Sequence, residues 1–144
     1  MLHAMVAVFR LIPLLILTPA AAAERVEGPV AAAVERVIDG DTVRVLARIW
    51  VGHTVAVSVR LAGVDAPEIF RPQCPAEREK AREAKTFVEG MLGGDDITLL
   101  DIVPDKYGGR VVARVETASG EDVGAALIDA GLATENGADD PWCG

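Results

Sequence analysis

The chain has 144 residues, with 14 lysines and arginines against 22 aspartates and glutamates, and a formal net charge of −8. That length fits a single domain with one core. Such acidity repels a polyanion at long range, which counts against tight, non-specific nucleic-acid binding and leaves any such affinity to local patches.

Residues 1–23 stand apart from the rest. His3 and Arg10 are the only possible positive side chains, no acid precedes Glu24, Leu11 to Leu17 is apolar apart from Pro13, and Ala20 to Ala23 supplies small residues for cleavage. This predicts a secretory signal peptide cut after Ala23. Its apolar run falls short of the roughly 20 residues of a comfortable membrane span. An uncleaved anchor is the alternative, because Met5 to Phe9 lengthens that run. The expected mature protein is 24–144, periplasmic or secreted. Loss of Arg10 leaves 13 basic side chains against 22 acidic ones, a net charge of −9.

Glu24 to Pro29 is a polar lead-in, and Val30 to Ile38 fits a first strand. Asp39-Gly40 then signals a tight reversal. Thr42 to Val51 alternates, with Val43, Val45 and Ala47 opposite Arg44, Leu46 and Arg48, and Gly52-His53 breaks it. Thr54 to Leu61 alternates again, so that Val55, Val57 and Val59 face away from Arg60. Ala62 to Pro75, with four Gly and Pro punctuators, reads as loop. Ala76 to Leu92 is a helix: Ala81, Ala84, Val88 and Met91 recur at helical spacing, with Phe87 and Leu92 beside them. Its charged face reads as solvated. Ile97 to Val103 and Arg110 to Thr117 are further strands around a loop, Pro104 to Gly109. Asp122 to Ala130 is a short helix capped by Gly131. Thr134 to Gly144 has no periodicity. The pattern predicts a mainly β, α+β domain built on a five-stranded OB-type barrel, with an open sheet as the competitor.

Cys74 and Cys143 are the only cysteines. In an exported protein an even count reads as a disulfide, and two free thiols are the alternative. Neither has a second Cys or His close by, so the spacing does not suggest zinc.

Three segments carry candidate chemistry. Val37-Ile38-Asp39-Gly40-Asp41-Thr42-Val43 places acids at a strand reversal. Arg60-Leu61-Ala62-Gly63-Val64-Asp65-Ala66-Pro67-Glu68 adds an arginine and two more carboxylates. Asp105-Lys106-Tyr107-Gly108-Gly109-Arg110 adds a basic loop. Asp41 and Asp65 sit at strand ends that a meander can bring together, and two carboxylates with a carbonyl and water suit a hard cation, Ca²⁺ or Mg²⁺. An EF-hand is excluded, because Val43 and Arg44 stand where that loop needs an acid or amide and a glycine. Glu68 is the candidate general base. Arg60 and Arg110 are suited to pair with phosphate oxygens as charge builds.

From about Val34 to Ala133 these three segments, in order, resemble the signature segments of the staphylococcal nuclease (thermonuclease) family. The resemblance implies an OB-type barrel with about three helices. It implies Ca²⁺-dependent cleavage of DNA or RNA at the 5′ P–O bond, leaving a 3′-phosphate. A monomeric endonuclease with no stable protein partner is the expectation, with oligomeric state and internal against terminal cleavage left open. It assigns Asp41, Asp65 and the Ala66 backbone carbonyl to the metal, with Asp39 acting through water. Arg60 and Arg110 would hold the scissile phosphate, Glu68 would activate water, and Lys106 and Tyr107 would touch a terminal phosphate. Other divalent ions remain open. Three departures stand out: Ala66 replaces the family's frequent Thr, an extra Gly precedes Arg110, and the tyrosines that help stack a base are missing from Thr134 to Asp140. Trp142 is their substitute or packs beside Cys143. A non-catalytic module binding nucleic acid or peptide is the rival reading, and a purely structural exported protein a third.

Overall fold

The computed structural model describes residues 24–94 and 96–144. The expected signal peptide, 1–23, lies outside them. In chain order the elements are β1 (Val30–Asp39), β2 (Thr42–Trp50), β3 (His53–Leu61), β4 (Val64–Asp65), α1 (Pro75–Leu92), β5 (Asp96–Pro104), β6 (Arg110–Glu116), α2 (Val123–Asp129) and β7 (Thr134–Glu135).

Five strands close a barrel in the order β1-β2-β3-β6-β5. β1, β2 and β3 form the antiparallel meander that the alternation predicts. Closure depends on two less local pairings. β5 pairs antiparallel with both β1 and β6, and its register shifts between Leu100 and Val103 in the ladder with β6. β3 runs parallel to β6, with Ser58 opposite Arg110 and Leu61 opposite Ala113. A parallel neighbour needs a long crossover; here it runs through the second acidic segment, α1 and β5.

The alternation decides which side chains are inside. Val43, Val45, Val59, Leu61, Ala113 and Val115 are buried in the barrel with Ile97 and Leu99. α1 covers β1 with Ala84, Val88 and Leu92. Its other face carries ion pairs Lys80–Glu83, Arg82–Glu79 and Lys85–Glu89, as expected of a solvated surface. Burial fades along the β2–β3 hairpin, whose tip exposes Ile49, Trp50 and Val51.

Two sequence expectations need correction. Two helices are present among the described residues, whereas the resemblance implies about three. The tail, with Gly137 and Pro141 and no apolar periodicity, turns instead of coiling. That tail also contains β7, which pairs with β4, so neither 62–75 nor 134–144 is wholly irregular. Glu77, the acid in the first turn of α1, is 2 % exposed.

Cys74 and Cys143 form a disulfide across 69 residues of chain. Cys74 is also the N-cap of α1, its sulfur accepting from the Glu77 N–H, and Pro75 follows at the first helical position. The bridge fastens the tail to the start of α1.

Candidate active site

The meander ends, the segment after β3 and the loop before β6 meet around one cavity of about 670 Å³. Each group reaches it for a local reason. Asp41 follows Gly40 in the β1–β2 reversal, where Asp39 pairs with Thr42. The next ladder sets Thr42 opposite Arg60, so the β1–β2 reversal and the end of β3 present acid and guanidinium together. β4 carries Asp65 back along the same rim. The parallel β3–β6 register puts Arg110 on the same face as Ser58 and Arg60, the face opposite buried Val59 and Leu61. Asp39, Asp41, Arg60, Asp65, Glu68 and Arg110 all line the cavity, together with Lys106 and Tyr107.

Arg60 is the hub. Its Nη1 donates to Asp41 Oδ2 at 2.9 Å, while its Nη2 donates to an Asp65 carboxylate oxygen and, at 3.2 Å, to the Val64 carbonyl. One planar guanidinium therefore spans the two carboxylates. Partial burial works against its charge, but Asp41 and Asp65 outweigh that and hold its pKa above the ordinary arginine value. Asp41 is 6 % exposed and has further partners. The Thr42 hydroxyl donates to Asp41 Oδ1 at 2.9 Å, and the Ala66 N–H donates to Oδ2 at 3.0 Å. Ala66 is thus tied to Asp41 through its amide, whatever its carbonyl does.

Asp39 accepts from the Asp41 N–H at 3.2 Å. Burial first, and then the neighbouring Asp41 charge, push its pKa up to about 7. Glu68 is also raised, by desolvation first and then by Asp41 and Glu77, with Arg60 and Arg71 opposing. On the other wall, Arg110 Nε donates to Asp105, whose side chain is 8 % exposed. Burial would raise the Asp105 pKa, but hydrogen bonds from Arg110 and the Lys106 amide hold it below the ordinary carboxylate range. The Tyr107 ring lies under two cations, with Arg110 Cζ at 4.9 Å and Lys106 Nζ at 5.1 Å from its centroid. Arg110 opens β6 directly after Gly109, which has φ +77°, so the extra glycine is taken up in the turn before the arginine.

The donor chemistry fits a hard divalent cation. Asp41 and Asp65 face one positive group already, and the repulsion between Asp41 and Asp39, which adds to burial in raising the Asp39 pKa, is one that a cation would relieve. Among the described residues no group of three or more His, Cys, Asp or Glu side chains converges as a ready cage. Carbonyls and water would have to complete a shell on the aspartate pair.

Several contributors were not legible as site residues. Thr42 is buried against Asp41. Asp105 appeared only as part of a basic loop. The Gly137 N–H donates to Asp65 Oδ2 at 3.3 Å, and the Asn136 N–H donates to the Gly63 carbonyl at 2.9 Å. Asn136 also lines the cavity. No local pattern announces these tail contacts. His53 is exposed, its ring against the Val51 carbonyl, and Trp142 does not line the cavity.

The sequence profile described as "Staphylococcal nuclease homologue" matches residues 58–141. Endonuclease YhcR of Bacillus subtilis (strain 168) is 33% identical over 114 residues, covering 74% of this chain. The chain spans only 9% of that protein's length. The matched profile covers more than half of the chain and contains Arg60, Asp65, Glu68 and Arg110. It falls on a closed five-stranded barrel whose rim gathers those residues beside Asp41. Sequence and architecture thus agree, and the chain belongs to the staphylococcal nuclease homologue family.

Proposed function

We propose that this protein is an exported nuclease that hydrolyses phosphodiester bonds of DNA or RNA with a divalent cation, Ca²⁺ foremost. The observation that carries the reading is the Arg60 guanidinium bridging Asp41 and Asp65 in a cavity that Glu68 and Arg110 also line. Asp41, Asp65 and the Ala66 carbonyl would hold the cation, with Asp39 acting through water. When bound, the ion supplies positive charge beside the phosphate and lowers the cost of charge developing there.

The remaining chemistry belongs to the chain. Glu68 takes a proton from water as its oxygen attacks phosphorus. Its pKa, raised by desolvation and by neighbouring Asp41 and Glu77, strengthens it as a base. Arg60 and Arg110 exchange their carboxylate partners for equatorial phosphate oxygens, with bonds that strengthen as charge accumulates. The 5′ P–O bond breaks, the leaving oxygen takes a proton from solvent water, and a 3′-phosphate remains. Lys106 and Tyr107 flank the Arg110 wall, where they would meet a terminal phosphate. Export accords with the apolar leader and with the Cys74–Cys143 bridge, which suits an oxidising compartment.

The test is digestion of single-stranded DNA, and of RNA, by purified mature protein with Ca²⁺ and with chelator. Cation-dependent cleavage leaving 3′-phosphate ends is expected. Retention of the polymer without cutting would instead indicate the non-catalytic binding module.

A further inference from the structure

We propose that Glu77, on the first turn of α1, is a positioning residue that fixes the Glu68 loop at two backbone amides. The proposal rests on the reading of Glu68 as the water-activating group.

Its geometry is unusual for an acid at a helix start. Such a carboxylate ordinarily faces solvent and complements the helix dipole. Glu77 is 2 % exposed, and both oxygens are engaged outside the helix. Oε1 accepts from the Glu68 N–H at 3.0 Å, and Oε2 accepts from the Gln73 N–H. A buried carboxylate is costly unless its lone pairs are met. Here the loop amides meet them, with charge-assisted bonds stronger than neutral ones.

The clamp acts where the loop has little else. The stretch between β4 and α1 lacks regular structure, and Glu68, Phe70, Arg71 and Gln73 are exposed. The Ala66 N–H is held by Asp41 and the Glu68 N–H by Glu77, with buried Pro67 between them. At the far end Gln73 is held by Glu77, and Cys74 by the disulfide. The loop therefore has one support on the cation side of Pro67 and another on the base side. Glu77 supplies the second, and it can fail while the first remains.

Glu77→Gln separates the two. Glutamine keeps one acceptor oxygen and turns an NH₂ toward the other amide, donor against donor, so one end of the loop is released. In wild type, amide exchange followed by NMR should show Glu68 and Gln73 protected despite their exposed side chains, and faster in the variant. Misplacement of a base by about 1 Å can cost up to 100-fold, so kcat on single-stranded DNA should fall roughly 10- to 100-fold. KM and Ca²⁺ affinity should stay within about twofold, because Asp41 and Asp65 keep their partners. Unprotected amides in wild type overturn the clamp without any variant. Faster exchange with unchanged kcat overturns the positioning role, as does a loss confined to Ca²⁺ affinity or KM. A wild-type protein that cuts nothing overturns the base reading and the positioning role with it, while protected amides would still show the clamp as a structural feature alone.

Discussion

Gly40 should tolerate no side chain, although its backbone does not ask for glycine. Nine other glycines take positive φ, but Gly40 is not among them. Its reason is proximity. A Cβ placed there would lie 2.8 Å from the Ala84 Cβ on α1 and 2.9 Å from the Ala66 Cβ. Both are methyls at the root of the backbone, so neither can swing away, and Ala84 is fully buried. Ordinary contact begins near 3.4 Å, so Gly40→Ala forces the helix, the Ala66 loop or the turn to move by roughly 0.6 Å. Overpacking of this kind costs about 1–3 kcal/mol. For a domain of this size that corresponds to a fall in Tm of roughly 3–15 °C by differential scanning calorimetry. The movement also reaches chemistry, since Ala66 and the neighbouring Asp41 share a hydrogen bond. Cation affinity should therefore fall beyond what stability explains. Gly90→Ala is the opposite control: it lies within α1 with nothing near its Cβ, and should stabilise by up to about 1 kcal/mol through helix propensity. Adding Ala84→Gly to Gly40→Ala should recover only part of the loss, because the Ala66 contact remains. A Gly40→Ala protein as stable as wild type would refute the close-approach reasoning.

Glu68→Gln should lower kcat by about 10²–10⁴ while substrate affinity changes little; near-normal turnover in steady-state assays would give the base role to another group. Cys143→Ser should cost roughly 4 kcal/mol in the chain-entropy account of a 69-residue loop, read by denaturant unfolding. Alkylation of the unreduced wild type, followed by mass, should add nothing. Asp39 sets the pH dependence. Its folded pKa of about 7 lies above the ordinary 3.8, so between about pH 4 and pH 7 the folded protein holds a proton that the unfolded chain has released. Metal-free stability should therefore fall as pH rises through that window, with Glu68 contributing in the same sense, and Ca²⁺ should flatten the fall. Asp105 acts oppositely, below about pH 4, where its stabilising pair with Arg110 is lost as pH falls. Thermal scans from pH 4 to 8 that rise across the window would contradict this assignment.

What the sequence made legible followed periodicity. Two-residue alternation through Val43–Ala47 and Val55–Val59 located the meander, and the spacing of Ala81, Ala84 and Val88 located α1 to within a residue. The same alternation put Arg60 opposite the core face, beside the aspartates. Pattern is silent on contacts made across the chain. The β4–β7 pair has two residues on each side, too few to show alternation, yet it brings Gly137 to Asp65. Glu77 resembles any acid in a first helical turn until the loop folds back over it. Gly40 invites a turn explanation from its Asp-Gly context, while its real constraint lies 44 residues away at Ala84. The expectation of about three helices came from resemblance alone, and no periodicity in the tail supported it.

The overall acidity, awkward for the proposed action on a polyanion, has a local counterpart at the cavity. The cavity is lined by Asp39, Asp41, Asp65, Glu68 and Asp105 against Arg60, Lys106 and Arg110, five acids to three bases. Arg60 and Arg110 are both paired with carboxylates, so in this state they offer a phosphate little uncompensated charge. A phosphodiester approaching the cation-free site would meet a net negative wall and would have to draw both arginines from their partners. Asp41 and Asp65 would hold a divalent ion on the proposed reading, and its positive charge would offset the acidic excess. Arg60, sharing the same oxygens, would then be freer to turn toward the phosphate. Cation and substrate would then each favour the other's binding. On the proposed reading, the pairing of Arg60 with the aspartates would be the resting half of a charge exchange, and the acidic surface would leave attraction of the phosphate to the cation-loaded site.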